Sequence, residues 1–188
     1  MITAKFKIVS FYTLNTGYED EIENLLDSIN KFDLTYWISG IKSLGSWDAN
    51  TKYKVQLIKE ALSHKNYNIV YVDADAIIKQ YPVAFETINK PMAMHYRNGK
   101  ELLSGTLFFK PCAITSKVLD MWEQLCIENP KSWDQTLLKR AIQLLGAEKY
   151  VQQLPASYCK IFDLMSDVEN PVIEHYQASR KYKRALNA

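Results

Sequence analysis

Residues 69–78 read Ile69-Val70-Tyr71-Val72-Asp73-Ala74-Asp75-Ala76-Ile77-Ile78. The continuous apolar run before Asp73, rich in β-branched residues, fits a central strand buried on both faces. Two carboxylates two residues apart follow where that strand ends. Residues i and i+2 of an extended chain point the same way, so both acids face one point. Converging carboxylates repel unless a cation lies between them, and oxygen ligands of this kind suit Mg²⁺ or Mn²⁺. The carboxyl ends of strands are where open α/β sheets bind ligands. The pair therefore points to a divalent metal site that holds a phosphate-bearing substrate. Asp is also a frequent turn residue after a strand. The pair alone leaves metal binding and turn chemistry level, and the rest of the chain tips the balance.

Upstream, Lys5 to Thr13 reads as a first strand, with Phe6, Ile8, Phe11 and Tyr12 as its apolar members. Glu19 to Lys31 reads as a helix, because Ile22, Leu25, Leu26 and Ile29 recur at spacings of three and four. Leu34 to Ile38 is a short strand, Gly40 to Asn50 a loop, and Thr51 to His64 a second helix. The order β-α-β-α-β signals parallel strands joined by crossover helices. Downstream, Met92 to His95 and Thr106 to Lys110 read as strands around a polar turn at Arg97-Asn98-Gly99-Lys100. Ile114 to Asn129 and Trp133 to Leu145 are helices; Val151 to Leu154 and Val172 to His175 are short strands. The expected class is α/β, with a mostly parallel, mixed central sheet flanked by helices. With no linker or repeat in view, one domain over residues 1–188 is expected. Residues 1 to about 100 form its nucleotide-binding half, and about 101 to 188 a smaller acceptor half.

The 188 residues suffice for a core without disulfides, and 47% hydrophobic content marks a globular chain. A formal charge of +2 is too small to argue by itself for nucleic acid or membrane. Cys112, Cys126 and Cys159 are odd in number and far apart, which suggests neither a zinc site nor a disulfide framework. Free thiols, no signal-peptide pattern at the start and no apolar run of membrane-spanning length lead to the expectation of a cytoplasmic location.

His175 follows a late apolar strand and precedes Arg180, Lys181, Lys183 and Arg184. Imidazole joins carboxylates in Mn²⁺ shells, and a diphosphate beside a metal needs cationic counter-charge. A surface histidine and a solvated basic tail are the plain alternative. Tyr12 and Thr13 end the first strand, and Lys54 lies in the first turns of the second helix, within reach of a phosphate. Each also reads as an ordinary strand or surface position. Ser104-Gly105 reads as a bend entering a strand. Ser132-Trp133-Asp134-Gln135 has the form of a capping box, which would explain Asp134 and Gln135 by structure alone. An Asp-x-Asp phosphatase of the haloacid dehalogenase type is disfavoured, because its motif lies in the first strand and is followed by Gly-Thr.

Together these stretches resemble the small nucleotide-sugar glycosyltransferases of the GT-A fold. Val70 to Asp75 is similar to that family's metal-binding strand end. Leu103-Ser104-Gly105-Thr106-Leu107-Phe108 resembles its Asn-Ser-Gly strand, with Leu103 where Asn is frequent. Trp133-Asp134-Gln135 resembles its Asp-Gln helix start near the reaction centre. Glu174 to Lys181 is similar to the late His-x-x-Gly-x-x-Lys segment of glycogenin-like members, with Ala178 in place of Gly. The order of the four stretches matches over residues 5 to 184.

The resemblance implies a Rossmann-like GT-A fold and a glycosyltransferase that moves a sugar from a nucleotide-diphosphate donor, most simply UDP-linked. Mn²⁺ or Mg²⁺ would be held by Asp73, Asp75 and His175. Tyr12, Thr13, Lys54, Ser104, Gly105, Arg180 and Lys181 would contact the donor. Asp134 and Gln135 would act at the reacting carbon, stabilising it in a retaining route; an inverting route would take Asp134 as base. The acceptor stays open among a glycan, a lipid-linked sugar, a protein and a modified DNA base. A nucleotidyltransferase and a non-catalytic nucleotide-binding domain of the same fold are the alternatives. The first would be expected to show a third acid and a Gly-rich phosphate loop.

Overall fold

The computed structural model describes residues 5–64 and 67–186, excepting the side chains from residue 183 onward. Six strands form the main sheet: β1 (Phe6–Thr13), β2 (Tyr36–Ile41), β3 (Asn68–Val72), β5 (Met92–Arg97), β6 (Glu101–Phe109) and β7 (Val151–Gln153). The order is β2-β1-β3-β6-β5-β7. The β2-β1, β1-β3 and β5-β7 pairs are parallel, and the β3-β6 and β5-β6 pairs antiparallel. The expected mixed, mostly parallel sheet is therefore present. A second sheet, which the sequence reading did not foresee, joins β4 (Ala76–Ile78), β8 (Lys160–Ile161) and β9 (Ile173–His175) in the order β4-β9-β8. Its strands have two or three residues each, too few for a periodic signal.

Helices α1 (Tyr18–Asn30), α2 (Trp47–Ser63), α4 (Ala113–Glu128), α5 (Asp134–Leu144) and α6 (Ser179–Leu186) accompany the sheets, with α3 (Ala84–Thr87) a single turn. α2 begins earlier than expected because Ser46 caps it, its side chain accepting from the Ala49 N–H at 3.2 Å. That cap lies inside the stretch read as loop.

Alternate residues of β3 feed two cores. Ile69 and Tyr71 join Val9, Leu107 and Phe109 against α2, α4 and α5, where Val55, Ile58, Trp122 and Leu138 are buried. Val70 and Val72 join Phe6, Ile8 and Phe108 on the other side, against Ile22, Leu25 and Ile29 of α1 and Ile173 of β9. A strand with a core on each face must be apolar at every position, which accounts for the unbroken run before Asp73. The result is a layered α/β/α arrangement in which β1 and β3 run side by side in parallel, with their carboxyl ends at the same edge.

Candidate active site

Asp73 and Asp75 do not lie on one extended strand. β3 ends at Val72, and Asp73 to Asp75 form a turn closed by the Ala76 N–H donating to the Asp73 carbonyl at 3.1 Å. The expected convergence by strand alternation is thus replaced by convergence through a turn, which β4 then continues. β9 pairs antiparallel with β4 so that His175 stands opposite Ala76, one residue from Asp75. Ligand atoms of Asp73, Asp75 and His175 lie within 4.8 Å of one another.

The residues fit a divalent cation. The His175 Nε2 is 2.9 Å from the Thr106 hydroxyl, while the buried Nδ1 has no hydrogen-bond partner and sits 4.0 Å from Asp75 Oδ1. A metal-binding histidine has one ring nitrogen fixed by a neighbour and the other free. Burial pushes the His175 imidazole down to about 4, so it is neutral at pH 7 and offers a lone pair. Burial and the Asp73 charge push the Asp75 carboxyl up to about 7. Two neighbouring acids that repel each other gain most from a cation between them.

Gly105 makes room for this arrangement. It lies beside Asp73, whose N–H donates to the Gly105 carbonyl at 2.9 Å. A Cβ on Gly105 would stand 2.8 Å from His175 Cε1 and 2.9 Å from Nδ1. On the far side, the chain wraps Asp75 after β9. Tyr176 N–H donates to the Asp75 carbonyl at 3.0 Å, and Ala178 N–H donates to Asp75 Oδ2 at 2.7 Å. Gln177 between them takes a left-handed backbone, φ 56°, an uncommon conformation for a residue with a side chain.

Lys54 lies at the centre of the second cluster. It is 3% exposed, with its Nζ 2.9 Å from Asp134 Oδ2 and 3.1 Å from Asp73 Oδ1. It also donates to the Ser104 carbonyl and hydroxyl, both at 3.2 Å. Burial alone would strip its charge, but Asp134 and Asp73 outweigh it and hold the proton firmly. The Ser104 hydroxyl donates to Asp134 Oδ2 at 3.1 Å, and the Tyr71 hydroxyl donates to Asp73 Oδ1 at 2.9 Å. Asp134 lies in the first turn of α5, as expected, with its side chain on Lys54 and Ser104. The expected capping box does not form: Trp133 is the N-cap of α5, with no side-chain cap bond.

A cavity of about 520 Å³ joins these groups, within the size range of small-molecule sites. Tyr12, Thr13, Lys54, Asp73, Asp75 and Ser104 line it, with Gly105, Asp134, Gln135, His175 and Arg180. Lys181 is not among the lining residues; its Nζ donates to the Tyr182 hydroxyl at 3.0 Å on the exposed side of α6. Arg180 pairs with Asp163. The side chains of Lys183 and Arg184 lie outside the described residues. The sequence reading missed Thr106, Tyr71, Tyr18 and Trp133. Thr106 and Tyr71 are interior members of strands, and no local pattern marks an inward hydroxyl as a partner of a distant group.

Solved structures share this layout. A glycosyltransferase involved in the glycosylation of the major capsid of PBCV-1 superposes with a TM-score of 0.72 at 10% identity, covering 97% of this chain and 98% of that one. The fold is that of the GT-A glycosyltransferases. The GT-A likeness extends to the apo form of GlyE from Streptococcus pneumoniae TIGR4, with a TM-score of 0.58 and 15% identity. That match covers 92% of this chain and 54% of GlyE. The galactosyltransferase LgtC, solved with donor and acceptor sugar analogs, matches with a TM-score of 0.54 and 11% identity, over 91% of this chain and 87% of LgtC. No family model and no curated protein sequence matches the chain. The GT-A scaffold here carries its acids and histidine at the carboxyl edge of β1 and β3. No described helix is long and apolar enough to cross a membrane.

Proposed function

We propose that this chain is a metal-dependent glycosyltransferase that takes its sugar from a nucleotide-diphosphate donor, with UDP as the nucleotide. The observation that carries the reading is the Asp73-Asp75-His175 cluster with its unpartnered buried Nδ1, set in a cavity of about 520 Å³ in a GT-A fold. Asp73, Asp75 and His175 would hold Mn²⁺ or Mg²⁺. When bound, the cation supplies charge that stabilises the departing diphosphate. Arg180 at the start of α6 adds hydrogen-bonding positive charge on the same side. Tyr12, Thr13 and Tyr18 form the wall that receives the nucleoside.

Asp134 acts at the reacting carbon. Lys54 and Ser104 fix its Oδ2. The carboxylate so held can accept the proton of the acceptor hydroxyl as the new glycosidic bond forms and the bond to phosphate breaks. Lys54 positions both carboxylates rather than touching the donor, because its charge is already shared by Asp73 and Asp134.

Calorimetry of UDP with and without Mn²⁺ tests the reading, alongside release of UDP from a panel of UDP-sugars. Binding should require the metal and vanish in Asp75→Asn. Arg180→Ala should weaken UDP more than uridine, since only UDP carries phosphates. Metal-independent UDP binding, or equal binding by wild type and Asp75→Asn, would overturn the metal-dependent reading.

A further inference from the structure

The cavity wall beyond the donor contacts carries information about the acceptor. Trp133 immediately precedes Asp134, and its indole is 57% exposed although it lines the cavity. Its backbone is extended, φ −66° and ψ 137°, and its side chain caps nothing. Among the described residues the indole has no hydrogen bond and no ring contact. More than half of this large flat group is left uncovered by the fold, which leaves apolar surface for a ligand to cover. Leu164, 52% exposed, adds a second apolar element to the same cavity.

Charge narrows the occupant. The cations lining the cavity are Lys54, Arg97 and Arg180. Each is already paired: Lys54 with Asp73 and Asp134, Arg97 with Glu101 at 2.6 Å, and Arg180 with Asp163. Nucleic acids are held through many cation–phosphate contacts; of the three cations in the described lining, Lys54 and Arg97 are held by acids and Arg180 is assigned to the donor diphosphate, which leaves none for a polyanionic acceptor. What it offers is an exposed indole in the same cavity as the Gln135 side chain and the hydrogen-bonded Arg97–Glu101 pair, apolar surface together with polar groups of both hydrogen-bonding senses. A pyranose has the matching surface, with C–H groups across its face and hydroxyls around its edge.

We infer that the acceptor is a neutral sugar whose ring stacks on Trp133 while its hydroxyls reach Gln135 and the Arg97–Glu101 pair. The inference rests on the proposed donor chemistry, which puts the reacting carbon beside Asp134. The acceptor hydroxyl then arrives next to the carboxylate that follows Trp133 in the chain.

Fluorine NMR of fluorotryptophan-labelled protein tests it, with Trp133→Phe assigning the signal. Methyl glycosides of glucose, galactose and mannose, a short DNA duplex and an unglycosylated peptide are titrated in the presence of UDP and Mn²⁺. At least one methyl glycoside should shift the Trp133 signal, and the duplex should not. With that glycoside as acceptor, Trp133→Ala should raise its KM about tenfold, with partial recovery in Trp133→Phe. UDP binding with no glycoside response would overturn the acceptor assignment and leave the donor reading standing. A response to the duplex or the peptide alone would also overturn it. A glycoside response without UDP binding would support the sugar site and remove the donor reading. Silence to UDP and glycosides would remove both.

Discussion

Asp75 is the residue on which the proposed metal chemistry turns. Its carboxyl is pushed up to about 7 by burial and the Asp73 charge, whereas His175 is pushed down to about 4 by burial. An imidazole at its ordinary 6.5 would make metal affinity fall below that pH. Here His175 is already neutral, and the proton that competes with the cation is the one on Asp75. Mn²⁺ affinity should therefore fall about tenfold per pH unit below about 7, and level off above it. Calorimetry from pH 5.5 to 8.5 would check this, and a profile flat through 7 would count against Asp75 as a ligand. The sign for folding without metal follows from the same shifts. Between 3.8 and about 7 the folded state holds a proton on Asp75 that the unfolded chain has lost, so this group's contribution falls as pH rises. Between about 4 and 6.5, His175 works in the opposite direction, since the unfolded chain binds the proton and the folded state does not. Asp75→Asn should thus stabilise the metal-free protein above pH 7 while abolishing Mn²⁺ binding. Lys54→Met should destabilise it by about 3 kcal/mol in urea unfolding, by leaving Asp73 and Asp134 without their shared cation. Adding Asp134→Asn should recover part of that loss, because one uncompensated carboxylate then disappears.

Among the elements, β6 and β9 decide whether the histidine reaches the acids. β9 is three residues long and sets His175 opposite Ala76; β6 supplies Thr106 to its Nε2 and, at Gly105, the space for its ring. Gly105→Ala would put a methyl group 2.8 Å from the buried His175 ring, which must then give way. The expected cost is about 1–3 kcal/mol of stability, together with loss of Mn²⁺ affinity as the ring turns away from Asp75. Thermal unfolding and calorimetry on the one variant separate these effects, and unaltered Mn²⁺ affinity would show that His175 lies outside the shell. Helix α6 is tied in at both ends of its first turn. Ala178 bonds Asp75, and the Tyr182 hydroxyl, whose ring lies 5.1 Å from that of Tyr18, donates to Glu21 of α1 at 3.0 Å. A Cβ on Gly17 would meet the Tyr182 ring at 2.2 Å, so Gly17 gives α6 its seat on the body of the protein.

Over the whole molecule, β3 is shared by the two main cores, which couples the layers on either side of the sheet. Val70 is fully buried in the core that holds α1, and Tyr71 next to it is 1% exposed in the core that holds α2, α4 and α5. Val70→Ala should lower the unfolding free energy by about 1–3 kcal/mol with one cooperative transition in both circular dichroism and tryptophan fluorescence. Separate transitions for the two signals would show that the layers unfold independently. Because the proposed metal ligands Asp73 and Asp75 are joined by His175 from far along the chain, Mn²⁺ binding should stabilise the fold as a unit. At a hundred times its dissociation constant the gain should be about 2.7 kcal/mol, and Asp75→Asn should lose that gain.

The sequence by itself determined the alternating β-α order, the two-sided burial of β3 and the residue types at its end. These are local matters, written in apolar periodicity and in the polarity of the residues that follow. It also set His175 and Asp134 as candidates, but each had a competing local explanation, as a surface histidine and as an acid favoured in a first helical turn. Tertiary structure went beyond those explanations. It buried His175 against Gly105 with one nitrogen unpartnered, and it turned Asp134 away from its helix end onto Lys54, 80 residues earlier in the chain. Of the small second sheet only β9 was legible, as Val172 to His175; β4 and β8, with three and two residues, carry no period. The exposure of Trp133 was illegible because nothing in one position's identity says whether a neighbour covers it. Charges and rings acquire their roles from what surrounds them, and those surroundings are assembled from segments that sequence spacing cannot bring together.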